Sequence, residues 1–344
     1  MGHRCRAAPR WVLLLLAAAV VVATVFAVSR VSRRDSQIHQ RSGLLMGTFV
    51  TLKAAGSKAP AALDAAMAEL ARLERLLSYN DPASEVSKLN ASAGGPPVEL
   101  DPEVIAILED AQRFSRLSGG KFDVTSAPLV DLWGFRPEVA QRNTPAPADI
   151  ARALLLVDYA ELVVSAADRT AQLRRPGMRV DLGGIAKGHA VDRVVAILRE
   201  HGVRAAIVDV GGNVHALGTR PNGTPWRVGI QHPRDTQALL GVLSLTKDGV
   251  ATSGDYQRFF EVDGRRYHHI LDPHTGYPAE TMAAISIVAS SGRQADGAST
   301  AAFLLGPVAG LDLVAELGLE AILVNLDGEV EVTAGLRPLF EATP

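Results

Sequence analysis

The spacing of apolar residues changes along this chain, and the changes divide it into elements. The run from Trp11 to Val28 is apolar throughout and carries no charge, with Arg4, Arg6 and Arg10 before it and Arg30, Arg33 and Arg34 after it. It is about as long as a membrane-spanning helix needs. The pattern predicts a basic tail at 1–10, a transmembrane anchor or signal segment at 11–29 and a polar linker at 30–43. A cleaved signal peptide has a shorter apolar core and a small-residue exit. Ala27-Val28-Ser29 is only a fair exit, so an uncleaved anchor is favoured. Three arginines on each side leave the orientation tied. The folded domain is expected over 44–344. Leu44–Leu52 reads as a strand and Pro60–Leu77 as a helix with Leu63, Met67, Leu70, Leu73 and Leu77 on one side. Asp101-Pro102 opens a further helix that Gly119-Gly120 ends.

From Leu162 onward short β-rich runs dominate: Leu162–Ser165, Ala171–Arg174, Arg179–Leu182, Ala205–Val210, Arg227–Gln231, Val242–Thr246, Ala283–Ala289 and Ala321–Asn325. Helices interrupt them without regular alternation. That predicts an α+β domain with largely antiparallel sheets and packed helices, not a doubly wound fold. Pro137–Ala148 reads as a loop or soft boundary.

Composition narrows the function. The chain has 344 residues, 47% hydrophobic and 21% charged, with a net charge of −2. No basic surplus exists for sequence-independent nucleic-acid binding, so that partner is not expected. The single cysteine, Cys5, precedes the apolar run. It leaves the domain without a disulfide, a cysteine zinc site or a thiol nucleophile.

Three stretches carry candidate chemistry. Asp181-Leu182-Gly183-Gly184-Ile185-Ala186-Lys187-Gly188 leads into a helix whose face is Val191, Val194, Val195 and Leu198, with Gly202 placed to end it. Glycines allow close backbone approach, and N–H groups at a helix start attract phosphate. The spacing is nevertheless not that of a dinucleotide fingerprint or a P-loop, and an ordinary turn reads equally well. His268-His269-Ile270-Leu271-Asp272-Pro273-His274 admits a zinc site, a general base or a rigid turn. Adjacent histidines on a strand point to opposite faces, which weakens the zinc reading. In Ala295-Asp296-Gly297-Ala298-Ser299-Thr300, Asp296 and Thr300 lie one helical turn apart. They are hard oxygen donors suited to Mg²⁺, unless Asp296 simply caps the helix. Tyr79, in the polar loop after Leu77, has a face that suits a planar ring.

In chain order, Met46-Gly47-Thr48, the Leu77–Asn90 loop, the Gly119–Thr125 and Pro128–Phe135 runs, Asp181–Arg193, Gly211-Gly212-Asn213, Thr252–Tyr256, His269–Pro278 and Asp296–Thr300 resemble the ApbE-type FAD:protein FMN transferases. The resemblance spans most of the chain and implies a flavin-transferase, T-fold-like domain. It implies that Met46, Tyr79, Lys121, Phe122, Asp123, Asp181, Lys187 and Ile270 contact FAD. The Gly184 carbonyl, Asp296 and Thr300 would hold Mg²⁺, and His269 would be the base. Lys121 stands where many relatives carry alanine, and Ala127 where glycine is frequent. The implied reaction moves the FMN moiety of FAD onto a threonine or serine hydroxyl of an acceptor redox protein and releases AMP. An FAD pyrophosphatase giving FMN and AMP, or a non-catalytic FAD-binding protein, are the alternatives. The family's habit of acting outside the cytoplasmic membrane resolves the tied orientation in favour of an exported domain on a single-pass anchor.

Overall fold

The computed structural model describes residues 37–136 and 143–343. The predicted anchor at 11–29, most of the linker and the first half of the Pro137–Ala148 loop lie outside the described residues. Among the described residues no helix is long and apolar enough to cross a membrane.

Eight strands form a central sheet in the order Ile38–Leu45, Thr48–Ala55, Ala206–Val210, Asn213–Leu217, Gly249–Gly254, Ala284–Ala289, Glu320–Val324 and Val330–Val332. Every neighbouring pair is antiparallel. Helices Ala59–Leu77, Pro102–Leu117, Ala186–Glu200 and Gly292–Leu305 build the main core against one face, with Leu52, Val208, Ile285 and Ile287. A three-stranded sheet of Trp226–Gln231, Leu239–Leu245 and Phe340–Ala342 packs on the middle of the other face through Val228, Leu243, Val250 and Val288. The strand Ala284–Ala289 is therefore buried at all six positions. Cover on both faces explains why its sequence shows no in–out alternation. The α+β architecture with antiparallel sheets is the one the sequence predicts.

Four local expectations change. The single strand Leu44–Leu52 is instead part of a hairpin. Leu45 pairs with Thr48, and the chain reverses at Met46 (φ 57°) and Gly47 (φ 67°), two successive left-handed residues that suit a tight two-residue turn. The outer strand begins at Ile38, inside the stretch read as linker. It forms the sheet edge and alternates between exposed and half-buried residues, so its polar character hid it. Arg179–Leu182 is not a strand. Arg179 makes one isolated bridge to Ser126, and the side-chain amide of Asn90 takes the place of a neighbouring strand. Its Oδ1 accepts from the Val180 N–H at 2.7 Å and its Nδ2 donates to the Val180 carbonyl at 3.0 Å. Finally, Asp296 does not open its helix. Gly292–Leu305 starts a turn earlier, capped by Ser291, with Asp192 accepting from the Gly292 N–H at 2.6 Å and the Arg293 N–H at 3.0 Å.

The helices Ala186–Glu200 and Gly292–Leu305 cross through glycine. A Cβ on Gly188 would lie 2.2 Å from the Gly292 carbonyl oxygen, and one on Gly292 would lie 2.7 Å from the Gly188 oxygen. No side chain fits between these backbones, and the close approach brings Asp296 to the first turn of the other helix. Gly188→Ala is expected to force the helices apart and to lower stability by about 1–3 kcal/mol, the usual range for overpacking. Urea unfolding measures this, and a loss under about 0.5 kcal/mol would show that the crossing adjusts freely.

Candidate active site

The first turns of these two helices, the Met46 turn and the His268–Pro278 loop surround one cavity of about 460 Å³, a size typical of small-molecule sites. All twelve residues that the sequence analysis assigned to the site line it.

One pole is built around Asp296, whose carboxylate is almost fully buried, 4% of the residue remaining exposed. Its Oδ2 accepts from the Gly188 N–H at 2.9 Å, and its Oδ1 faces the Lys187 ammonium at 3.5 Å. Lys187 also donates to the Gly183 carbonyl at 2.9 Å. The helix-start N–H of Gly188 thus holds a carboxylate, not a free anion. Gly184 comes close to Thr300: a Cβ there would sit 3.5 Å from Thr300 Oγ1. The Thr300 hydroxyl is linked to Ser253 Oγ at 3.2 Å, and Ser253 to Ser299 Oγ at 2.9 Å. A carboxylate, hydroxyls and carbonyls form a hard oxygen set suited to Mg²⁺ completed by phosphate and water. Among the described residues no three His, Cys, Asp or Glu side chains cluster as a metal site, and the zinc reading of the histidine run finds no ligand set.

The three histidines separate by role. His268 is buried, bonded through Nε2 to the Ala279 carbonyl at 2.7 Å and set edge-on to Phe303. His274 takes no part in the cavity lining. His269 lines the cavity, and its Nδ1 is buried without a hydrogen-bond partner. Burial, reinforced by Arg258, His268 and Lys187, pushes its pKa down to about 3. The imidazole of the ligand-free protein is therefore neutral at pH 7 and weakly basic.

The opposite wall is an ionic cluster that the sequence did not disclose. Arg136 stacks its guanidinium on the Tyr79 ring, 3.6 Å from the centroid. It also donates to Asp131 Oδ1 at 2.7 Å and pairs with Asp181. The Tyr79 hydroxyl donates to Asp131 Oδ2 at 2.6 Å. Burial and the Asp131 carboxylate raise its pKa to about 12. A cation therefore covers one face of the ring read as a stacking platform. Asp181 Oδ1 accepts from the Gly183 N–H at 2.7 Å and so shapes the turn before Lys187. Lys121, the departure noted in the sequence, is neutralised by Asp272. Asp123 lines the cavity, but Thr125 and the Tyr159 N–H occupy its oxygens at 2.6–2.9 Å. Burial still raises its carboxyl to about 6 against those bonds. Phe122 packs on Phe114, and Trp133 Nε1 donates to the Gly276 carbonyl at 2.8 Å, tying the aromatic run to the histidine loop. Arg136, Ser253 and Arg258 also line the cavity; Ser253 falls within the Thr252–Tyr256 motif without an assigned role, and no motif marks Arg136 or Arg258.

A β-rich scaffold carrying a buried carboxylate–lysine pole and a histidine with an unpartnered ring nitrogen in one cavity defines a small-molecule site with acid–base and charge-neutralising groups. Comparison with known proteins identifies it further. Residues 46–323 match the ApbE family, and the chain belongs to that family. It is 37% identical over 318 residues to the FAD:protein FMN transferase of Treponema pallidum, covering 87% of each chain. With the protein of the same name from Klebsiella pneumoniae it shares 33% identity, covering 89% of this chain and 95% of that one. Among solved structures, the ApbE protein of Thermotoga maritima superposes with a TM-score of 0.82 at 31% identity, covering 88% of this chain and 99% of that one. The apo flavinyl transferase ApbE of Pseudomonas stutzeri gives 0.79 at 33%, covering 90% and 98%.

The buried Nδ1 of His269 has a direct spectroscopic consequence. In the ligand-free protein its imidazole resonances are expected to show no protonation between pH 5 and 8, because the folded-state pKa lies far below the ordinary value of about 6.5. An NMR titration midpoint near 6.5 would contradict that enclosure.

Proposed function

We propose that the cavity binds FAD and that the chain transfers its FMN moiety onto a threonine or serine hydroxyl of an acceptor protein, in a Mg²⁺-dependent reaction that releases AMP. Membership of the ApbE family supports transfer chemistry. The observation that carries the reading is the meeting of the Asp296–Lys187 pole and the neutral His269 in one cavity. Met46, Tyr79, Lys121, Phe122, Asp123, Asp181, Lys187 and Ile270 would line the bound dinucleotide, with Asp123 and Asp181 shaping the backbone around it.

The hard-oxygen set fits Mg²⁺. The Gly184 carbonyl, Asp296 and Thr300 would hold it, and when bound it would neutralise charge on the phosphoryl oxygens. Lys187 adds a positive charge beside the same oxygens. His269 accepts the proton of the acceptor hydroxyl on its unprotonated ring nitrogen. The hydroxyl oxygen forms a bond to the FMN phosphorus, the bond from that phosphorus to the bridging oxygen breaks, and AMP departs with the electron pair. A nearby diphosphate favours the protonated imidazole, so substrate itself raises the low basicity of His269 toward the working range. The pyrophosphatase reading uses the same groups with water as acceptor, and no feature of the fold favours it. A purely FAD-binding protein would leave the unpartnered His269 without a role.

The acceptor is expected to be a redox protein. Segment 11–29 would anchor the chain in the cytoplasmic membrane, with the domain from about residue 38 on its outer side.

Incubation with FAD, Mg²⁺ and candidate acceptor domains tests the proposal. Flavin fluorescence is expected to stay on the acceptor through denaturing electrophoresis. His269→Ala should slow labelling by about 10²-fold or more, the usual size of a lost general base, while FAD binding changes little. Free FMN without labelled acceptor would overturn transfer, and equal loss of binding and labelling would make His269 structural.

A further inference from the structure

Asn213 is absent from the role assignments above, yet its placement is among the most constrained in the cavity. It follows a two-residue reversal in which Gly211 and Gly212 are both left-handed, at φ 61° and 88°, and it pairs directly with Val210 across that turn. A Cβ on Gly211 would lie 2.3 Å from Thr48 Oγ1, so the turn is pressed against the strand that leaves the Met46 turn. The Gly212 N–H donates to Asp209 Oδ1 at 2.9 Å. The turn is thus held by its hairpin partner, by contact and by a carboxylate, and it delivers Asn213 to the cavity wall.

The residue is only 3% exposed, and its Nδ2 has no hydrogen-bond partner among the described residues. A buried donor of that kind is unfavourable unless something satisfies it. Trp226 Nε1 and both His215 ring nitrogens are also unpartnered, but neither residue lines the cavity. Arg136 Nη2 does, on a guanidinium already engaged by two aspartates and a ring. Asn213 is a neutral donor on a backbone held in place before any ligand arrives, which lowers the ordering entropy its bond would cost.

We infer that Asn213 is a substrate-binding residue, its Nδ2 donating to an acceptor oxygen of the flavin dinucleotide. The inference rests on the reading of the cavity as an FAD site. A carboxylate at this position would be an acceptor only and would face another acceptor.

Titration of FAD into the unaltered protein, Asn213→Ala and Asn213→Asp, followed by flavin fluorescence, tests it alongside thermal unfolding without ligand. The alanine variant should unfold at the same temperature or higher, since no bond to Nδ2 within the protein is lost, while its Kd for FAD rises about tenfold. The aspartate variant should bind more weakly still. A Kd within twofold of the unaltered value in both folded variants overturns the role of Asn213 alone. Unaltered protein that does not bind FAD overturns the functional reading and this inference with it.

Discussion

The site depends on one buried carboxylate held at the start of a helix it does not belong to. Asp296 sits on Gly292–Leu305, yet its partners are the Gly188 N–H and the Lys187 ammonium on Ala186–Glu200. Removing the partner of a buried charge costs on the order of 3–5 kcal/mol, so the two helices must meet in one register. Reciprocal contact of Gly188 and Gly292 enforces it, because neither backbone leaves room for a Cβ. The helix N-terminus that resembles a phosphate cradle instead fixes an acid. The proposed Mg²⁺ site draws on this acid, together with Thr300 and the Gly184 carbonyl.

The sheet supplies the second constraint. Its middle strands are buried on both faces, giving a rigid floor from which turns project at one end. Met46 in the first hairpin and Asn213 in the second reach the cavity this way, both from reversals that require left-handed residues. The aromatic cluster of Trp133, Phe135, Phe260, Tyr267 and Tyr277 packs with Leu271, two residues after His269. Catalytic geometry is therefore borrowed from three cores, which fits a site whose parts are scattered from residue 46 to residue 300.

Much of this was legible in the sequence. Helix periodicity located Ala59–Leu77 and Ala186–Glu200 within a residue or two, and Gly202 ends the latter with φ 75°. β-rich runs mark Ala206–Val210, Ala284–Ala289, Glu320–Val324 and part of Thr48–Ala55, but not Asn213–Leu217, Gly249–Gly254 or Val330–Val332. The edge strand Ile38–Leu45 escaped because a half-exposed edge carries polar residues. Arg179–Leu182 has strand-like composition, but a side chain, Asn90, meets its hydrogen-bonding needs. The twelve residues named from ordered motifs all line the cavity, yet their contacts with one another could not be read from those motifs. Nothing in spacing shows that Arg136 lies on Tyr79, that Asp272 neutralises Lys121, or that Asp123 is occupied by its own loop. Those facts come from chain segments far apart in sequence meeting in space.

Asp296, placed by the helix crossing, is proposed as the charged pole for Mg²⁺. Calorimetric titration of Mg²⁺ into FAD-loaded protein tests it most directly, comparing unaltered chain with Asp296→Asn. The asparagine keeps an acceptor for the Gly188 N–H but removes the negative charge. Saturable Mg²⁺ binding to the unaltered protein and at least a tenfold loss in the variant, about 1.4 kcal/mol, are expected. Equal Mg²⁺ affinity in the two proteins would contradict it.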